Sequence, residues 1–287
     1  MNLREVRDRI ASVKSTQKIT SAMKLVSSAK LRRAQSAIEG MLPYSDRLNA
    51  LLASFLQSTK GVVTPYATVR QCKKVVLVAV SSNTGLCGTF NANMANALRN
   101  AVRSHETAGA QVEIYAVGKK IFDAAKKLGY APNDALMAQA AAPQYDDVAR
   151  VVRTLMERFA VGEIDRVEVV HPHFKSAAKQ EPVCDVLMPI DLSCINCEAS
   201  PVTGFIVEPS RDELLSAVVP KVIEVRLFTA LLDSVAAEHA ARVLAMQVAT
   251  DNATDLISEL TLEYNKGRQQ AITNELLDIV TGSEANR

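Results

Sequence analysis

The chain has 287 residues, of which 48% are hydrophobic and 5% aromatic, with no Trp and a formal charge of +2. This is enough apolar material for one large or two ordinary domains, and so small a net charge argues against a general binder of nucleic-acid polyanions. No window of 18 or more uncharged apolar residues occurs, so no membrane span is expected, and five cysteines, an odd number in a long chain, do not read as a disulfide framework but as free thiols of a reducing compartment.

The chain opens MNLREVRDRI, with Glu5 and Asp8 and no apolar signal core, which argues against a leader or transit segment. Residues 1–39 contain neither Gly nor Pro. Leu3, Val6, Ile10 and Val13 step by three, four and three, a heptad seam. Ile19, Met23 and Val26 continue it on a shifted frame, followed by Ala34, Ile38, Met41 and Leu42. Gly40 and Pro43 are expected to interrupt the helix, and Leu48, Leu51, Leu52 and Phe55 extend the stripe beyond them. Residues 1–57 are thus expected to form an N-terminal coiled-coil helix.

Residues 73–205 read as an α/β domain. Residues 73–82 (KKVVLVAVSS) form a nearly continuous apolar run, as in a strand buried on both faces. A helix at 91–104, a strand at 112–117, a helix at 119–128, a helix at 145–159 and strands at 166–171 and 183–190 follow. Strand–helix alternation predicts a mostly parallel, Rossmann-like sheet covered by helices. Residues 82–88 (SNTGLCG) lie at the turn where a dinucleotide fold would hold phosphate. However, neither G-x-G-x-x-G nor G-x-x-x-x-G-K-[ST] is present, so a tight strand-to-helix turn is expected. His171 and His173 flank Pro172 with no third ligand at suitable spacing, and a loop rather than a metal site is the expectation. Cys194 and Cys197 form a lone C-x-x-C near Cys184, read as loop thiols.

The last segment, residues 210–284, is expected to be a C-terminal coiled-coil helix. Ser210 and Glu213 have capping-box spacing. Leu215, Val218, Val219, Val222 and Val225 form one face. Ala237, Ala241, Leu244 and Val248, then Ala249, Ala253, Leu256 and Leu260, step by fours and threes, and Ile272, Leu276 and Ile279 close the pattern. A helix over 210–280 would run about 105 Å at ~1.5 Å per residue. A globule of about 150 residues, with a radius of gyration near 15 Å, cannot cover that length. The helix therefore needs a partner along its seam, and the N-terminal helix supplies one. Residues 1–33 hold nine Lys/Arg against two Asp/Glu, and residues 251–287 hold seven Asp/Glu against three Lys/Arg. That asymmetry favours an antiparallel pair, setting orientation more than stability, since exposed pairs are worth only about 0.2–1 kcal/mol.

Several stretches resemble the gamma subunits of F-type ATP synthases: residues 10–24 (IASVKSTQKITSAMK), Gly85-Leu-Cys-Gly88 followed by Asn91, and above all the C-terminus. There Glu238-His-Ala-Ala-Arg242, Ala245-Met246, Ala249-Thr-Asp-Asn252-Ala, Tyr264-Asn-Lys266, Arg268-Gln269, Ile272-Thr273-x-Glu275 and Ile279-Val280-x-Gly282 occur in order. The resemblance implies a non-catalytic shaft with no cofactor, metal or nucleotide of its own. It would turn inside a ring of alpha and beta subunits, with its α/β domain against the epsilon subunit and the membrane c ring. The complex would be peripheral to the cytoplasmic face of a bacterial inner membrane. It further implies Met23, Arg242, Arg268, Gln269, Thr273 and Glu275 as rotor-coupling residues that contact the beta subunits, and Ile272, Leu276, Ile279 and Val280 as an apolar tip. Residues 205–209 would lie near the ring. Gly267, where relatives commonly have Ala, is expected to loosen the helix. Residues 191–204 match the family poorly and are shorter than the regulatory cysteine insertion of photosynthetic relatives. The rival readings are a nucleotide-dependent α/β enzyme with helical arms and a generic coiled-coil adaptor.

Overall fold

A computed structural model describes residues 3–58, 64–176, 179–190 and 211–284. The expected cap at Ser210, the thiols Cys194 and Cys197, the rest of residues 191–209 and the side chains of Phe55 and Leu215 lie outside what is described. The elements are α1 (Leu3–Ser58), β1 (Lys74–Val80), α2 (Phe90–Thr107), β2 (Gln111–Val117), α3 (Lys119–Lys127), α4 (Tyr145–Val161), β3 (Arg166–Phe174), β4 (Gln180–Met188) and α5 (Arg211–Glu284). They divide into two compact units, Ser28–Arg242 and the pair Met1–Ser27 with Val243–Arg287.

In the first unit the sheet order is β2-β1-β3-β4. β1 pairs in parallel with β2 (Leu77 opposite Ile114) and with β3 (Val78 opposite Val169). Six successive β1 residues, Val75 to Val80, are buried, because both faces of this central strand are covered. Alternation along the strand sorts them: Val75, Leu77 and Ala79 join Phe90, Met94 and Leu98 of α2 and Ile121 of α3. Val76, Val78 and Val80 join Val152, Leu155 and Phe159 of α4 and Val219, Ile223 and Leu227 of α5. The same six apolar residues in a row could not be placed on one half-exposed strand face.

β4 runs antiparallel to β3, so the sheet is parallel in three of its four strands. The histidine pair is not in a loop. β3 continues through Phe174, with Pro172 opposite Pro182 and His171 opposite Val183. His171 Nε2 lies 3.0 Å from Asp185. β1 pairs with β3 only as far as Val170, so Pro172 lies past that ladder with β4 alone beside it, where a missing N–H is tolerated.

α1 also departs from expectation: it passes through Gly40 and Pro43 without a break. Pro43 is solvent-exposed. On either side of it Ile38 packs with Ala34, Val235 and Ala236, and Leu48 and Leu52 pack on the sheet core. Packing at both ends therefore outweighs the roughly 3 kcal/mol that an interior proline costs.

Candidate functional site

Within the helical unit, α1 and α5 face each other antiparallel. Gln17 Nε2 donates to Thr254 Oγ1 at 2.8 Å, the Thr20 and Thr250 hydroxyls meet at 2.8 Å, and Lys24 Nζ donates to Gln247 Oε1 at 2.8 Å. Leu3 abuts Gly267. Rising numbers on one helix thus meet falling numbers on the other. Between residues 3 and 27 the half-buried or buried positions of α1 include Leu3, Val6, Ile10, Val13, Gln17, Thr20, Lys24 and Ser27, which alternate steps of three and four, with Ser21 and Met23 half-buried beside them. The shift of frame expected from Ile19, Met23 and Val26 does not occur. The frame continues through polar side chains that bond across the seam, while Ile19 and Val26 are 57% and 58% exposed. On α5 the seam is Met246, Thr250, Ala253, Ile257, Leu260, Tyr264 and Gly267. Ala253 and Leu260 lie on it as expected, whereas Leu244 and Val248 face solvent.

Gly267 does not simply loosen the helix. A β-carbon there would lie 3.1 Å from Leu3 Cδ2, so the glycine admits the first turn of α1 at close range. Beyond it every position of α5 from Arg268 to Thr281 is exposed. Arg268, Ile272, Glu275 and Ile279 follow one helical face. Gln269 and Thr273 follow another, tied by the Thr273 hydroxyl donating to the Gln269 carbonyl at 2.9 Å. Ile272, Leu276, Leu277, Ile279 and Val280 put large apolar side chains into solvent. Met23 is half-buried in the same unit.

Arg242 is not with them. It belongs to the α/β unit and is buried. Its guanidinium donates to Glu238 at 2.7 Å and to Thr84 Oγ1 at 2.9 Å, and lies 3.5 Å from the Gly85 carbonyl. Burial pushes the Glu238 carboxyl above its ordinary pKa against the pull of Arg242 and Lys30.

The turn that Arg242 grips is closed on itself. The Ser82 hydroxyl lies 2.6 Å from the Thr84 carbonyl and 2.9 Å from Asn91 Oδ1, and Asn91 Nδ2 donates to the Thr84 carbonyl. The neighbouring helix N-terminus is also taken. Ile121 N–H donates to the Ser81 hydroxyl, Lys119 N–H to Asn83 Oδ1 and Lys120 N–H to the Ser82 carbonyl. These three amides at the start of α3, of the kind that can cradle a phosphate, are bonded to the protein itself. A cavity of about 150 Å³ near Lys74, Gln111, Glu113 and Arg158 is smaller than the roughly 300–1,000 Å³ of ligand sites. Arg158 there is held by Glu113 and Glu163. Among the described residues no cluster of His, Cys, Asp and Glu is placed to hold a metal, and no helix is long and apolar enough to cross a membrane.

Residues 2–285 match the family model described as ATP synthase. The chain is 50% identical to the ATP synthase gamma chain of Bacteroides fragilis, with 99% of each covered. It belongs to the ATP synthase gamma-chain family. The gamma chains of Bacteroides thetaiotaomicron and Flavobacterium johnsoniae are 49% and 43% identical, over 98% and 99% of this chain and 99% and 98% of their own lengths. Among solved structures, a chain of the Euglena gracilis mitochondrial ATP synthase in its OSCP/F1/c-ring assembly superposes with a TM-score of 0.61 at 22% identity, covering 99% of this chain and 94% of the other. A chain of the rotor of the same enzyme gives 0.60 at 21%, covering 94% and 98%. These two share the fold of this chain.

Sequence reasoning missed the side chains that tie α5 to the α/β unit. Glu224 and Asp233 are both buried or nearly so and bonded to other elements. Their signal was a charge inside an apolar helical run, VIEVRL and LLDSV.

Proposed function

We propose that this gamma chain is the central-stalk rotor subunit of an F-type ATP synthase, turning within the alpha–beta head and carrying no catalytic site, cofactor or metal of its own. Proton flow through the c ring would turn it for synthesis, and hydrolysis at the beta subunits would turn it in reverse. The complex would sit peripherally on the cytoplasmic face of a bacterial inner membrane, with the α/β unit against epsilon and the ring.

The observation that carries this reading is the exposed end of α5. A single helix of some 14 residues showing five large apolar side chains to water is marginal alone and too apolar to be left uncovered. A sleeve of apolar side chains would cover it without strong directional bonds, as rotation demands. Arg268 and Gln269, just outside the paired region, offer charge-assisted and amide hydrogen bonds to a beta-subunit loop. Thr273 and Glu275 sit on the same exposed segment, and Met23 on the paired one, and we assign all five to subunit coupling. Arg242, buried beside Thr84, would couple through the turn it holds rather than by touching the head directly.

The test is truncation after Tyr264 in the assembled complex. The α/β unit should remain folded and epsilon bound, while ATP synthesis falls. Normal synthesis by the truncated complex, or failure of the full chain to co-purify with alpha and beta subunits, would refute the reading.

A further inference from the structure

We infer that α5 is locked in rotation against the α/β unit by three polar contacts spaced nine residues apart, at Glu224, Asp233 and Arg242, so that torque enters the helix through them. This rests on the rotor reading above and assigns positioning roles within it.

Each contact joins α5 to a different element. Glu224, 2% exposed, accepts from the Tyr145 hydroxyl and from Arg153 Nε at 2.7 Å, both on α4. Lys221, one turn earlier, reaches the same carboxylate at 3.4 Å and lies over the Tyr145 ring. Asp233 meets His173 Nδ1 at 2.7 Å and accepts the Phe174 N–H at 3.2 Å, at the end of β3. Arg242 donates to Thr84 in the turn after β1.

Geometry gives these contacts their meaning. At about 100° per residue, nine residues carry a helix two and a half turns. Glu224 and Arg242 therefore point the same way, and Asp233 points to the opposite side. A helix held on opposite faces resists rolling in either sense. The surrounding apolar packing of Val219, Val222, Ile223, Leu227 and Leu231 is non-directional and opposes rolling far less sharply than bonds with defined angles. Stability alone does not explain the choice, because buried charged groups are commonly replaceable by apolar ones at no loss. Burial pushes the Glu224 carboxyl up, yet Tyr145 and Arg153 hold it below its ordinary value. The group stays ionised and its bonds charge-assisted.

The experiment uses the whole ATP synthase in membrane vesicles, carrying Glu224→Gln, Asp233→Asn and Thr84→Val together, with complex yield, ATP hydrolysis and ATP-driven proton uptake measured in parallel. The expected result is normal yield and hydrolysis, with protons moved per ATP reduced at least about twofold as the helix slips in its seat. An unchanged ratio overturns the inference, as does a parallel loss of hydrolysis and uptake that tracks yield. If the triple variant does not assemble, Asp233→Asn alone is judged by the same ratio. Failure of the parent chain to assemble would instead overturn the rotor reading itself.

Discussion

His239 makes the stability of the α/β unit depend on pH in a calculable way. The side chain is 8% exposed on α5, and its Nδ1 is buried without a hydrogen-bond partner. Burial, assisted by the positive charges of Arg242 and Lys30, lowers its pKa from 6.5 to about 4. The native state thus refuses a proton that the unfolded chain accepts. Stability from this site is complete above the unfolded value and is lost as pH falls from there toward 4. Between pH 7.5 and pH 5 the difference in proton binding amounts to about 2 kcal/mol, at 1.36 kcal/mol per pKa unit. Replacing His239 with Leu removes the titration and keeps the volume. Urea unfolding followed by far-UV circular dichroism at the two pH values should show the parent losing about 2 kcal/mol more than the variant. Equal losses in both proteins would refute the assignment.

Three further outcomes are expected. Gly118→Ala should destabilise the α/β unit by at least about 2 kcal/mol in thermal or urea unfolding, because φ is +98° and the new β-carbon would lie 2.3 Å from the Ser81 carbonyl oxygen. Gly267→Ala should stabilise the helical unit slightly, by up to about 0.5 kcal/mol, since helix propensity gains about 0.5–1 kcal/mol and the half-buried Leu3 at the start of α1 can yield a few tenths of an ångström. Slower amide exchange around position 267 would register the gain. Thr20→Val should cost no more than about 1 kcal/mol, because the Thr250 hydroxyl loses its mate across the seam but keeps the Met246 carbonyl as acceptor at 2.7 Å, and Thr250→Val added to it should cost less than Thr250→Val alone, a coupling that a double-mutant cycle reads directly.

The strands were legible because continuous apolar runs such as 74–80 have few alternatives once both sheet faces are covered. Helices that carry their own periodicity, α2 to α4, were found within a few residues. The coiled-coil frame was harder. An apolar-only search drew the seam through Ile19, Val26, Leu244 and Val248, all exposed in the structure. At that level the helices are joined by the polar contacts Gln17–Thr254, Thr20–Thr250 and Lys24–Gln247, whose partners become visible only when two helices are set side by side. Pro43 misled for a related reason, since local propensity cannot register packing on either side of it. Asp233 and Arg242 offered charges in helical runs, but which elements they would meet depends on where β3 ends and where the 82–88 turn lies. The exposed segment from Arg268 to Val280 was legible as a tip through resemblance, not periodicity.

The polar stretch of the seam has a consequence for which alignments the two helices can adopt. Apolar heptads are interchangeable, so a pair built from them alone could slide by seven residues and bury nearly the same surface. Here such a slide would set Thr20 against Ile257 or Val243, leaving both its hydroxyl and that of Thr250 without the mate each has now. The hydroxyl, amide and ammonium groups at 17, 20 and 24 therefore act as teeth, admitting one alignment and penalising its nearest neighbours at several points at once.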